Sequence, residues 1–214
     1  AYEIYQCDWS SDVCSSDLTG TTGSFSLTFT LGSLTATPGT LNLTSGTAST
    51  IVFTTNPAGA SSGAVLSTSP VLKVTDGSGN GVSGVTVTAS VASGTPTLSG
   101  TTSLVTDASG VVTFSNLTLT GTSGSLTLKF TAGALSVTSS SLTLGAGTAT
   151  QVVFTTSPTS SITSGSSIGT PVAKIEDASG NVVTTYVGSV TLTTSAGSLV
   201  GGSTTVDRKS TRLN

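Results

Sequence analysis

The chain has 214 residues, of which 35% are apolar, 26 are glycine and only 7% are charged, with a formal net charge of −3. Its length allows one or two domains. The absence of histidine excludes Ser-His-Asp and Cys-His catalysis and most zinc sites. Six Lys plus Arg are too few for a nucleic-acid footprint, and no apolar run approaches the ~18 residues that cross a bilayer. Serine (39) and threonine (45) together fill 84 positions.

In chain order, residues 1–18 (AYEIYQCDWSSDVCSSDL) stand apart: they hold Cys7, Cys14, Trp9, Tyr2 and Tyr5. Residues 207–214 (DRKSTRLN) stand apart too, and the two ends carry eight of the fifteen charges. Both resemble translated sequencing adapters. Asp8 to Leu18 can be back-translated so that the reverse complement reads Asp-Arg-Lys-Ser-Thr-Arg-Leu-Asn, which is Asp207 to Asn214. The expectation is that both ends are artefacts to be set aside as fusion scars are. The alternative is a genuine terminal segment with a Cys7–Cys14 disulfide. Without the ends, 19–206 carries Lys73, Lys129 and Lys174 against Asp76, Asp107, Glu176 and Asp177.

Between the ends runs one internal repeat. GTTGSFSLTFTLGSL at 20–34 returns at 121–135, GTASTIVFTTNP at 46–57 returns at 147–158, and PVLKVTDGSGN at 70–80 returns at 171–181, always displaced by 101. Sliding 19–80 onto 120–181 without a gap gives 28 identities in 62 positions. A Ser/Thr bias alone could not place Phe29 on Phe130, Phe53 on Phe154 and Asp76 on Asp177. The expected organisation is therefore 19–45 as the tail of one copy, 46–146 as a complete copy and 147–206 as the head of a third.

In the complete copy, alternating runs predict strands near 49–55, 70–76, 84–91, 101–106, 111–119, 124–131 and 135–144. Alternation is clearest in Val85–Val91 and Ser125–Phe130, aliphatic on one face and Thr or Ser on the other. Threonine is β-branched and suits a pleated strand facing water. Positive mean hydropathy (+0.33) and scarce charge oppose disorder. Seven short strands in about 100 residues predict an all-β, immunoglobulin-like sandwich in tandem repeats. The two partial copies lack a partner sheet, so they should expose apolar faces and pairing edges.

The runs GTATQVVFTTSP, P-V-x-K-x-x-D-x-S-G-N, DASGVVTFSNLTL at 107–119 and GTSGSLTL at 121–128 resemble the bacterial immunoglobulin-like repeats of invasin- and intimin-type surface adhesins. The resemblance covers nearly all of 19–206. It implies sandwiches strung head to tail into an extracellular rod at the bacterial cell surface, acting as a spacer for adhesion. It also implies a binding domain elsewhere, so that a host-cell, matrix or glycan ligand would be met through domains outside this sequence. The partners expected within the chain are the neighbouring repeats, with no nucleic acid, no membrane span and no cofactor.

Three loops share the form Asp-x-Ser-Gly, beginning at Asp76, Asp107 and Asp177. As metal candidates, Asp76, Ser78 and Asn80 followed by Gly81 mimic the start of a calcium loop, but the twelfth position is Val87, where a bidentate acid is needed. The structural expectation is a β-turn, with Asp capping its own backbone and Gly supplying positive φ. No catalytic residue is expected, because paired carboxylates need a cleft and Asp76 and Asp107, the only acids of the complete copy, fall in turns. Lys73 and Lys174 are expected to blunt an edge strand. Asn42-Leu-Thr44 and Asn116-Leu-Thr118 match the glycosylation sequon, as chance allows in so Thr-rich a chain. The alternative function is an accessory glycan-binding module of a secreted polysaccharide-active enzyme. It calls for a row of exposed aromatics, whereas the phenylalanines sit at alternating, core-like positions.

Overall fold

The structure, a computed structural model, describes residues 18–199 and 205–207. Residues 1–17 and 208–214, and with them nearly all of both adapter-like ends, lie outside the described residues. The described chain is all strand, with no helix.

The first segment holds β1 (Gly23–Ser26), β2 (Phe29–Leu31), β3 (Leu34–Ala36) and β4 (Thr40–Leu43). β1 pairs with β4 and β2 with β3, both antiparallel.

A sandwich follows, made of β5 (Thr50–Thr55), β6 (Ala60–Ser61), β7 (Ala64–Val65), β8 (Val71–Thr75), β9 (Thr86–Ser93), β10 (Thr97–Ser99), β11 (Ser103–Val105), β12 (Val111–Thr113), β13 (Thr118–Thr120), β14 (Gly124–Ala132), β15 (Leu135–Thr138) and β16 (Leu142–Gly145). One layer is the sheet β11-β9-β14-β16-β6, with β15 also beside β14. The other layer consists of β12-β8-β5 and β10-β13-β7. Closure at the end of the sandwich comes from a parallel pairing of β16 with β6.

Between the layers lies one core. Leu72, Val74, Val87, Phe114, Leu117, Leu119, Leu128, Phe130 and Leu144 are fully buried. Phe130 meets Phe53 at 5.4 Å and Phe114 at 5.2 Å between ring centroids, edge to face in both cases, an arrangement suited to the ring quadrupoles.

Two predicted strands are broken. The 111–119 run becomes β12 and β13 because its inward phase slips: Val112 and Phe114 are buried, then Leu117 and Leu119, with one residue too many between them. Likewise 135–144 becomes β15 and β16. β14 pairs Lys129↔Thr138 but Leu126↔Leu142, so the partner strand carries one extra residue. Buried Ser139 repairs the break: its Oγ accepts from Leu128 N at 3.0 Å, while its own N–H donates to Leu128 O at 2.8 Å. β6, β7 and β10 were not predicted, being two or three residues long.

Lys73 corrects an expectation. It stands on β8, paired on one side with Val52 and on the other with Val111, so it blunts no edge.

The last segment holds β17 (Ala149–Thr156), β18 (Val172–Asp177), β19 (Ser189–Thr191) and β20 (Thr205–Asp207). β17 pairs with β18 and β19 with β20. Asp207, assigned above to an adapter-like end, pairs with Ser189.

Candidate functional site

All three Asp-x-Ser-Gly segments fold as the same turn. In each, the Asp N–H donates to the carbonyl four residues on, and the glycine three residues on donates back to the Asp carbonyl. That glycine has positive φ at all three sites, 84° at Gly79, 76° at Gly110 and 78° at Gly180, which the missing Cβ permits. One carboxylate oxygen then accepts two further backbone N–H groups: Ser78 and Asn80 on Asp76, Ser109 and Val111 on Asp107, Ser179 and Asn181 on Asp177.

The turns differ at the fifth residue, which is Asn80, Val111 and Asn181. At the first and third turns the asparagine reaches into the preceding segment. Asn80 Nδ2 donates to Asp76 at 3.0 Å and to Gly20 O at 2.8 Å, and its Oδ1 accepts from Thr22 N at 3.0 Å. Asn181 Nδ2 donates to Asp177 at 2.9 Å and to Gly121 O at 2.9 Å, and its Oδ1 accepts from Ser123 N at 2.6 Å. The second carboxylate oxygen closes the junction: Asp76 accepts from Gly46 N at 2.8 Å and Asp177 from Gly147 N at 2.7 Å. Each donor and acceptor of the first set has its counterpart in the second displaced by 101 residues, as in 76 to 177. The second junction adds Ser62, whose Oγ contacts Ser179 Oγ at 3.0 Å and accepts from Gly121 N at 3.2 Å.

These contacts set the charge state. The Asn80 side chain first, then Gly46 N–H and the turn amides, draw the Asp76 carboxyl down from 3.8 to about 2 against some desolvation. At Asp177 burial pushes the carboxyl up, yet Gly147 N–H, the Asn181 side chain and the Asn181 and Ser179 amides together bring it down to about 2. A carboxylate that collects several N–H donors favours its charged form. Asp76, Asp177 and Asn181 are all buried, and Asp107 is exposed.

The structure thus brings Asp76 and Asp177 to junctions, and leaves Asp107 as a turn within the sandwich. Asp107 sits close to the first turn, because Gly110 packs on Gly81 and Val74 so tightly that a Cβ would collide with their backbone. Among the described residues no group of three or more His, Cys, Asp or Glu is assembled for a metal ion. The roles of Asn80, Asn181, Gly20, Gly121, Gly46 and Gly147 were not foreseen. The available signal was that all six recur at the 101-residue spacing while the Asp107 turn lacks the asparagine. Both sequon asparagines are engaged: Asn116 binds Thr101 through both side-chain atoms, and Asn42 Oδ1 accepts from Ser24.

No protein-family model matches the chain, and no curated protein does. Solved structures do show likeness. The Escherichia coli adhesin FdeC is similar over 74% of this chain at 19% identity and a TM-score of 0.43. This chain spans 52% of that FdeC chain. The S-layer protein SbsC is similar in its domains 4 and 5 (57% of this chain, 58% of that one, 16% identity, TM-score 0.36) and in its domains 4–9 (85% and 29%, 18% identity, TM-score 0.35). The all-β sandwich described above stands on this chain's own strand pairing.

Proposed function

We propose that this chain is a stretch of a bacterial surface stalk: a non-catalytic spacer of tandem immunoglobulin-like sandwiches, outside the cell, that holds an adhesive part at a distance. In this reading 46–146 is one complete copy, 19–45 ends the copy before it and 147–206 begins the copy after it. The observation that carries it is the junction clamp, one Asp–Asn turn used twice with the same backbone partners. A spacer needs its copies to meet in one defined orientation. This clamp provides it without side-chain selectivity, because Asn80 and Asn181 bind backbone groups of the neighbour. Asp76, Asp107 and Asp177 act as turn and junction groups rather than as cation ligands, their carboxylates engaged by N–H donors.

The test is small-angle scattering with residual dipolar couplings on the full chain and on an Asn80→Ala, Asn181→Ala double variant. A spacer clamped at its junctions gives one alignment for adjacent segments in the parent and independent alignments in the variant. Identical couplings in both would overturn the clamp. Specific binding by the parent on a glycan array, or turnover on hydrolase substrates, would overturn the spacer.

A further inference from the structure

Asn80-Gly81 is the one Asn-Gly pair in the chain: Asn181, the repeat counterpart of Asn80, precedes Val182, and Asn42, Asn56 and Asn116 precede Leu43, Pro57 and Leu117. An asparagine amide is a thermolabile group. It is attacked most readily by the next backbone nitrogen when that residue is glycine, which has no Cβ to obstruct the approach. Packing requires the glycine here, because a Cβ on Gly81 would collide with the backbone of Ser109 and Gly110. Gly81 stands opposite Thr75 in an isolated antiparallel bridge. The hydrogen bonds of that bridge, Asp76 N to Asn80 O and Val82 N to Val74 O, belong to its neighbours, so the Gly81 N–H stays out of the pairing.

The junction ties down the other half of the pair. Asn80 Nδ2 donates to Gly20 O and to Asp76, and Oδ1 accepts from Thr22 N. The Asn80 backbone is held too, its N–H donating to Asp76 Oδ1 at 2.9 Å. Ring closure on Gly81 makes Cγ tetrahedral and expels Nδ2. It cannot finish while Nδ2 is bound to Gly20 O and Asp76.

We propose, on the clamp of the spacer reading, that Asn80 is a self-modification site gated by the first junction: it persists while 19–45 is clamped, and once the junction opens it deamidates through Gly81 and the clamp cannot re-form. Gly81 N forms a bond to Asn80 Cγ, the Cγ–Nδ2 bond breaks, and Nδ2 leaves as ammonia with the Gly81 amide proton. The product is a succinimide. Water then opens the ring at one carbonyl to leave an aspartyl residue, or at the other to leave an isoaspartyl residue whose main chain runs through Cγ. Water is the only co-reactant, and nothing is oxidised or reduced. Either product exchanges the amide that donates to Gly20 O for a carboxylate, which also faces the carboxylate of Asp76 and is repelled by it. At the second junction the branched Val182 crowds the same attack on Asn181, so that clamp survives opening.

Peptide mapping by mass spectrometry of the full chain, aged at mildly alkaline pH, tests this. In guanidinium, Asn80 should convert well ahead of Asn181 and Asn116. In the folded parent it should convert at least about tenfold more slowly than in guanidinium, since reaction waits on local opening. Thr22→Pro removes the N–H that binds Asn80 Oδ1. It should speed conversion of Asn80 in the folded chain several-fold, with Asn116 and the melting of the sandwich unchanged, since Thr22 is no part of the core. Residual dipolar couplings of the aged chain should show 19–45 released and the second junction still aligned. Equal rates at Asn80 in folded and unfolded chain, an Asn80 no faster than Asn181 in guanidinium, no acceleration in Thr22→Pro, or an aged first junction that keeps its alignment would each overturn the proposal. In those cases a single alignment in the fresh parent leaves the spacer reading standing; independent alignments in the fresh parent would overturn the clamp and the gated site together.

Discussion

Asp76 and Asp107 begin turns with the same backbone hydrogen bonds, and one residue separates their roles. Asn80 carries an amide that can donate to the carboxylate and to Gly20 O at once; Val111 carries none. Asn181→Ala should therefore free Gly121 O and Ser123 N and raise amide exchange at Ser123 and Gly147, leaving the Asp107 turn untouched. Unchanged exchange would show that the clamp is not holding the junction. Asn80→Asp should be worse than Asn80→Ala, because a second carboxylate beside Asp76 replaces attraction with repulsion. Both junction carboxyls titrate lower in the folded protein, at about 2, than the ordinary 3.8 of an unfolded chain. Their stabilisation is thus complete above about pH 4 and is lost as pH falls from there towards 2. Carboxyl chemical shifts followed by NMR should give midpoints near 2 for Asp76 and Asp177; midpoints near 4 would mean the donors are not engaged. Calcium and a chelator should leave the melting temperature equal, whereas a calcium-dependent rise would restore the cation reading through linkage.

At the scale of elements, strand breaks appear where the inward phase slips, and the break between β15 and β16 is mended by a polar side chain. Ser139 supplies the acceptor that Leu128 N loses at the β15–β16 break. Ser139→Ala leaves that buried N–H unsatisfied and should cost about 1–3 kcal/mol, measured by denaturant unfolding. A change within a few tenths would mean that water replaces the hydroxyl. Phe130 meets the rings of Phe53 on β5 and of Phe114 just beyond β12, and Phe130→Ala should cost about 3–5 kcal/mol. A much smaller loss would mean that the core collapses around the gap. The position of Lys73 was misjudged because alternation shows which face a residue occupies but not how many neighbours its strand has. β8 is the middle strand of its sheet, and pairing partners are set by chain segments far apart in sequence.

For the whole molecule, the same sequence pattern has opposite outcomes in different places. Phe130 and its repeat counterpart Phe29 have equal chemistry, yet one is fully buried and the other is 56% exposed. Burial is a property of two facing sheets, and only the central segment has both. The expectation of uncovered apolar faces in the outer segments followed from counting strands, and the exposures of Phe29, Leu34, Val152 and Phe154 agree with it. The proposed rod depends on the junctions more than on the cores, since a stack of sandwiches is stiff only if neighbours are held in one orientation.

The sequence by itself determined the all-β class, the inward-facing residues of the long strands, the turn character of the three Asp-x-Ser-Gly segments and the 101-residue correspondence. These are local or periodic properties: alternation with a period of two, β-branched side chains, and glycines where φ must be positive. Only the tertiary structure decided that Asn80 and Asn181 bridge segments, that Asp76 and Asp177 are junction groups while Asp107 is not, and that Lys73 is internal to a sheet. Each of those depends on a partner about 20 to 60 residues away. Hydrogen bonds of that range are decided by how the strands stack, and no local pattern encodes them.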